Sequence, residues 1–349
     1  MFPSGSGILS KVSSRDAAIE SYKYVDDRRK GLITSLKTKF ARLDNYLLGG
    51  IEPSTITCIS ALSGGGKSTL GKCFRDSLYA LNPTMKFNQY IFNFEMLASA
   101  QQARSIVSSS GISLKKLYSV EEPLTDSDME FLKSYYKELA ARDNTWFIET
   151  PSSAQHIADS LMYYYENECK PFGRGLVYEI DHALLTKGRS GASEKERVDE
   201  LMYALVHVKK AIAADGGYSI GIVLSQMNRD IRSIDRIKNP DLHRPSTSDL
   251  FGASSIEQCV DYCIFSHIPA KLNLSSYTNN SYPTRIKIGD RVMQMAYFEL
   301  VKQRSGPSDL TIPLWNNLHR FDFDEMPLDI FQKLVTQFRE TGECEYKTH

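Results

Sequence analysis

Short apolar runs alternate with amphipathic stretches along most of this chain. Strands are predicted at Thr55–Ala61, Gln89–Glu95, Thr145–Glu149, Leu176–Asp181, Tyr218–Ser225, Asp261–Ser266 and Tyr297–Lys302. Runs such as Ile220-Gly-Ile-Val-Leu224 are apolar throughout, the pattern of a strand covered on both faces. Between them the apolar spacing becomes helical. Val198, Leu201, Met202, Leu205, Val208 and Ile212 fall on one helical face. Helices are also predicted over Thr69–Leu81, Thr125–Arg142, Ala154–Glu168 and Leu328–Phe338, and from Ser13 or Ser14 to about Lys30, with Ile19, Tyr22 and Val25 as a short stripe. Strands alternating with helices predict an α/β fold, a mostly parallel twisted sheet with helices on both faces.

The pattern breaks in a few places. Residues 1–13 are Ser- and Gly-rich and read as a flexible tail. A helical linker region (14–36), one large α/β domain (37–325) and a C-terminal helix and tail (326–349) follow. Within the large domain, Lys187–Glu196 and Asn228–Ser255 are polar, and loops of that length in a compact domain are usually functional or disordered. Pro269–Asp290 reads as an insertion, with a hairpin as its simplest form.

Charge changes the picture only locally. Forty-two basic residues balance 42 acidic ones, so any nucleic-acid site must be a patch rather than a global field. The six cysteines form no C-x-x-C pair, which argues against a zinc framework and suits a reducing cytoplasm. No run of 18 apolar residues and no secretory leader is present, so a protein without a membrane span is expected.

The chemistry centres on Ala61-Leu-Ser-Gly-Gly-Gly-Lys-Ser-Thr69, a phosphate-binding loop of the form [AG]-x4-G-K-[ST] between a predicted strand and a predicted helix. Successive N–H groups across Ser63, Gly64, Gly65 and Gly66, and on through Lys67, Ser68 and Thr69 at the helix start, can point at phosphate oxygens. Lys67 is placed to reach the β- and γ-phosphates, and Ser68 to ligate Mg²⁺. The substrate class implied is a nucleoside triphosphate.

In open α/β sheets ligands sit at the carboxyl ends of strands, so polar residues there are the candidates. Glu95 can polarise an attacking water. Asp181 ends an apolar strand and can hold Mg²⁺. Glu179 is expected to face away from Asp181, or the strand to kink there. Gln226 can contact the γ-phosphate and report its loss. Lys302 and Arg304 can stabilise charge on a transferring phosphoryl group.

With these residues in order, the chain resembles the C-terminal RecA-type motor domain of DnaB-type replicative helicases, from about Arg29 to Pro313. Lys37-Thr-Lys-Phe-Ala-Arg-Leu-Asp44 with Leu48-Gly-Gly50 is similar to the family's segment before the phosphate loop. Phe92-Asn-Phe-Glu-Met96 is similar to F-S-L-E-M, whose Glu is the catalytic base. Ile180-Asp181 stands at the I-D-Y site, with His182 in place of Tyr. Leu224-Ser-Gln-Met-Asn-Arg229 resembles L-S-Q-L-N-R. Arg244-Pro245, Ser248-Asp-Leu250, Ser255-Ile-Glu-Gln258 and Asp261 resemble R-P-x3-S-D-L-x5-S-I-E-Q-x2-D. Lys302-Gln-Arg-Ser-Gly-Pro307 resembles K-Q-R-N-G-P, whose Lys and Arg act across a subunit boundary.

The resemblance implies an ATP- and Mg²⁺-dependent DNA helicase for replication, a hexameric ring around single-stranded DNA, with loader or replisome partners. The two polar segments become pore loops gripping DNA, through Lys187 and Arg189 in the first and Arg229, Arg232 and Arg236, with Lys238 and Arg244, in the second. The helix near 14–30 resembles the family's linker helix. The family's N-terminal collar is not recognised, as in a phage-like version, so ring assembly is expected to rest on the linker and motor contacts or on another protein. A second reading is a RecA/RadA- or KaiC-like ATPase that remodels DNA or a protein without unwinding. The Ser255–Gln258 and Lys302–Pro307 segments favour the first.

Overall fold

Residues 11–188 and 191–347 are described by the structure, a computed structural model. Two compact units divide the chain, 1–35 and 36–349. The first holds helix α1, Ser14–Arg29, whose N-terminus is capped by the Ser13 side chain accepting from Asp16 N. None of its residues is buried, and Ile19, Tyr22 and Val25 lie exposed.

The second unit is built on a nine-stranded sheet. In chain order its main elements are β1 (Thr55–Ala61), α2 (Lys67–Leu81), β2 (Phe87–Asn93), α3 (Ala98–Ser110), α4 (Asp126–Ala140), β3 (Thr145–Ile148), α5 (Ala154–Tyr164), β4 (Gly175–Asp181), α6 (Glu194–Ala214), β5 (Ser219–Gln226), α7 (Ala253–Cys259), β6 (Tyr262–His267), β7 (Ala296–Gln303), β8 (Leu310–Asn317), β9 (Asp322–Glu325) and α8 (Leu328–Thr341). The strands lie in the order β9-β8-β7-β6-β1-β5-β4-β2-β3. From β6 to β3 the pairing is parallel, and β7, β8 and β9 add an antiparallel edge.

Every residue of β2 and β4 is buried, as strands sandwiched between helix layers require. One layer is formed by α5, α6 and α7. There Val198, Leu201, Met202, Leu205, Val208 and Ile212 of α6 all point inward, as the helical spacing predicts. The start of α6 is set by a capping box between Ser193 and Glu196, so the polar stretch from Lys187 gives way to helix at Glu194. On the other face Leu70, Phe74 and Leu78 of α2 pack with Phe40 and Phe298. Tyr178 lies over Gly221 so closely that a Cβ there would come within 2.5 Å of its ring.

Several boundaries differ from the sequence pattern. β2 stops at Asn93, leaving Glu95 in the turn beyond it. The helix from Ala154 ends as α-helix at Tyr164 and continues as a π-turn over Tyr165–Cys169. β8 and β9 escape the pattern because Pro313 and polar Asn316, Asn317, Asp322 and Asp324 interrupt their apolar runs. The 269–290 insertion holds a two-residue hairpin (Ser276–Tyr277 with Tyr282–Pro283), then the strand Arg285–Ile288. That strand pairs with Arg291–Gln294 and, in parallel, with Glu345–Tyr346 near the C-terminus. Tyr277, Tyr297, Phe331 and Leu334 join the insertion, β7 and α8 in one cluster.

Leu205→Ala, at a fully buried position in the middle of α6, is expected to cost about 2–5 kcal/mol of stability, read as a lower urea midpoint at unchanged slope.

Candidate active site at the phosphate loop

The parallel register brings the strand-end candidates to within two residues of one level. Ala61 at the end of β1 is paired with Gln226 on one side and Ser266 on the other, while Asp181 lies beside Leu224 and Asn93. The chain then turns through residues 62–66. Gly64 and Gly66 adopt φ of 70° and 90°, the left-handed region that glycine enters without strain. Gly65 N donates to Leu62 O at 2.7 Å, Ser266 Oγ donates to Gly65 O at 2.7 Å, and Lys271 Nζ donates to Gly64 O. A Cβ on Gly66 would lie 2.6 Å from the Phe323 ring, so that position is closed to side chains by packing as well as by φ. No side chain caps α2, which leaves its first N–H groups facing the cleft.

The cleft is a cavity of about 300 Å³ lined by residues 61–64 and 66–69 together with Glu95, Arg104, Gln226, Leu318 and Phe321. Lys67 Nζ sits 2.8 Å from Asp181 Oδ1 and 3.8 Å from Glu95 Oε2. The second oxygen of Asp181 is buried and finds no partner among the described residues. That orphan acceptor, with the Ser68 hydroxyl in the cavity lining, fits a hard cation that brings phosphate oxygens with it. Among the described residues no three His, Cys, Asp or Glu side chains gather into a metal cage. His182 Nε2 lies 3.8 Å from Glu95 Oε2, and burial, reinforced by nearby Lys67, pulls the imidazole down to about 4, so it is neutral at pH 7.

Glu179 corrects an expectation. Residues two apart on a strand share a face, and here Glu179 and Asp181 both face α2. Arg75 of α2 donates from Nη1 to Glu179 Oε1 at 3.0 Å, with both side chains buried. Burial pushes this carboxyl up to about 7 although Arg75 opposes the shift.

Lys302 and Arg304 do not join this cleft. Lys302 is level with Cys263 and Gln303 with Tyr262, at the amino end of β6, whereas Ala61 is level with Ser266 at its carboxyl end. Three to four residues of strand put roughly 10–13 Å between the two levels. A bulge between Leu300 and Lys302 turns the strand, and Lys302 Nζ donates to the carbonyl of Glu257, the Arg304 guanidinium to that of Gln258. Arg304 Nε also lies 3.5 Å from Asp261 Oδ1. The other oxygen of Asp261 accepts from Ile56 N and Lys209 Nζ, each at 2.8 Å.

The polar loops divide. Lys187, Arg229 and Arg232 are exposed, and Arg189 lies outside the described residues. Arg236 is engaged within the protein itself. It pairs with buried Asp249 and donates to the carbonyls of Leu242 and Arg244 at 3.0 Å each, so its guanidinium is held within the loop. Arg244 is likewise withdrawn, its Nε donating to buried Glu299 at 2.7 Å.

Some residues of the cleft escaped the sequence reading. Arg104, on α3, places its guanidinium carbon 4.9 Å from the Phe321 ring centroid, and Leu318 adjoins them in the lining. A planar cation against an aromatic face offers a platform for a flat base. Arg104 carries no local signal, and Phe321 reaches the cleft only because β8 and β9 fold back over α2.

No curated protein sequence matches the chain. Among solved structures it is similar in fold to an isolated ATPase domain, with a TM-score of 0.70 and 17% identity over 91% of this chain and 100% of that one. It is similar to a DnaB-like replicative helicase described with its interactions with primase, with a TM-score of 0.69 and 18% identity over 91% of this chain and 68% of that one. A KaiC-like protein from Pyrococcus horikoshii gives a TM-score of 0.50 and 13% identity over 84% of this chain and 100% of that one. These likenesses establish a RecA-like ATPase fold. The sequence model of the DnaB-like helicase C terminal domain matches residues 35–323, most of the chain. The chain belongs to the DnaB-like helicase C-terminal domain family.

Proposed function

We propose that this chain is an ATP-driven, ring-forming motor that moves on single-stranded DNA during replication. One observation carries the reading: the phosphate loop, Asp181 and Glu95 converge on one cleft, while Lys302 and Arg304 sit at the opposite end of the sheet. A second copy is needed to bring such cations to the phosphates. A closed ring supplies that neighbour at every interface, and the exposed stripe of α1 supports a linker helix that docks on an adjacent subunit.

In this reading Lys67 leaves Asp181 for the β- and γ-phosphates, and Asp181 with Ser68 would hold Mg²⁺, which when bound would supply positive charge against the phosphates. The loop N–H groups from Ser63 to Thr69 cradle the phosphates, and Arg104 with Phe321 holds the base. Glu95 accepts a proton from the attacking water. Gln226 contacts the γ-phosphate and passes its loss through its own carbonyl, which accepts from Phe251 N at 3.0 Å. Exposed Lys187, Arg229 and Arg232, with Arg189, grip DNA phosphates without reading sequence, so binding weakens steeply with salt. No helix among the described residues is long and apolar enough to cross a membrane; a cytoplasmic site of action accords with the replication role.

Lys67→Ala is expected to abolish ATP turnover, and Glu95→Gln to leave ATP binding intact while slowing hydrolysis by at least about a hundredfold. A Lys67→Ala protein that still turns over ATP would rule out the site. Mixing Arg304→Ala with Glu95→Gln protein should restore part of the turnover that neither shows alone, because some mixed interfaces carry one intact half from each. Native mass measurement with ATP and single-stranded DNA reads the ring directly, and a monomer under those conditions overturns the proposal. Phe321→Ala should raise KM for ATP roughly tenfold with little change in kcat, the pattern of lost uniform binding.

A further inference from the structure

We propose that the Arg244–Glu299 ion pair is a positioning link that couples the Asn228–Arg244 loop to Lys302 and Arg304; this rests on the motor reading above. Glu299 lies on β7, three residues before Lys302, and is 0% exposed. Its carboxylate accepts from Arg244 Nε at 2.7 Å and Thr311 Oγ1 at 2.7 Å on one oxygen, and from the Tyr277 hydroxyl at 2.8 Å on the other. Thr311 is its cross-strand neighbour on β8, and Tyr277 comes from the insertion. Of the three donors, Arg244 alone arrives from the loop.

Arg244 reaches further. Its Nη1 lies 3.5 Å from Asp309 Oδ1, in the turn beyond Arg304, and Asp309 N donates back to Leu300 O at 2.9 Å. One guanidinium therefore holds the chain on both sides of Lys302-Gln-Arg-Ser-Gly-Pro307. The residues that follow Arg244 continue the connection. Asp249 pairs with Arg236 and accepts from Ser246 N at 2.8 Å, and Thr247 Oγ1 donates to Glu257 at 2.9 Å. Glu257 and Gln258 of α7 present the carbonyls that hold Lys302 and Arg304. The same segment meets Gln226 through Phe251 N, and Asn228 N donates to Asp249 O at 2.7 Å.

Separating Arg244 from Glu299 would strand a charge in the protein interior. Loop and strand therefore move as one body. A shift of the loop as it engages a phosphate backbone is delivered to the end of β7, where the two cations are carried. This is a physical connection between two sites through packed, charged groups.

The test uses the full chain. Basal ATPase rate, ATPase rate at saturating oligo(dT), oligo(dT) affinity and melting temperature are measured for Arg244→Gln, Glu299→Gln, the double variant, Thr311→Val and Tyr277→Phe. Removing both charges leaves neither stranded, so the double variant remains folded even where Arg244→Gln alone does not. The link predicts that the double variant loses about tenfold of its DNA stimulation, the size of an ordinary coupling, with basal rate and oligo(dT) affinity held. Thr311→Val and Tyr277→Phe, which weaken the same carboxylate's other bonds, keep the stimulation even as they melt earlier. A double variant with wild-type stimulation overturns the link, as does loss of stimulation in all variants in proportion to melting temperature. Weakened oligo(dT) affinity with unchanged stimulation at saturation overturns it too and makes Arg244 a DNA contact. Wild-type protein with no stimulation by oligo(dT) overturns the motor reading together with the link.

Discussion

The ion pair between Lys67 and Asp181 is the interaction on which the cleft depends. Its 2.8 Å contact rests on α2 starting a short loop beyond the end of β1, while β4, two strands away, ends level with Ile59, two residues before that end. Arg75 and Glu179 repeat the arrangement deeper along the same helix and strand, so α2 is fastened to β4 at two points. Buried pairs of this kind contribute little net stability, because desolvation offsets their attraction. What they provide is position.

The antiparallel edge does a different job. β8 and β9 fold back over the phosphate loop, bringing Phe323 against Gly66 and Phe321 toward Arg104. β7 instead carries Lys302 and Arg304 away from that loop, to the amino end of the parallel strands. One sheet thus presents a nucleotide cleft at one end and a cationic corner at the other. The constraint that keeps these halves apart within a chain is the rigidity of the sheet, and the proposal of a neighbour-completed site rests on it.

Sequence and structure agree where chemistry is encoded by neighbours in the chain. The phosphate loop needs a strand, a glycine turn and a helix start, all local. The face of α6 is a property of spacing alone. Disagreement arises at particular carboxylates and cations. The sequence reading sets Glu179 away from Asp181, yet the pleat puts both toward α2, where Arg75 waits. Arg236 and Arg244 read as loop cations because nothing nearby in the sequence shows Asp249 or Glu299 as their partners; Glu299 lies 55 positions from Arg244.

The order of short motifs was enough, by itself, to determine the α/β class, the nucleotide loop and the family, because each motif is a contiguous piece of backbone with a required conformation. Only the tertiary structure decided which loop cations stay exposed, what closes over the Phe321 side of the cleft and where Lys302 and Arg304 point. Those outcomes depend on strand register and on buried charge finding its opposite across the fold, and neither is a property of any one segment.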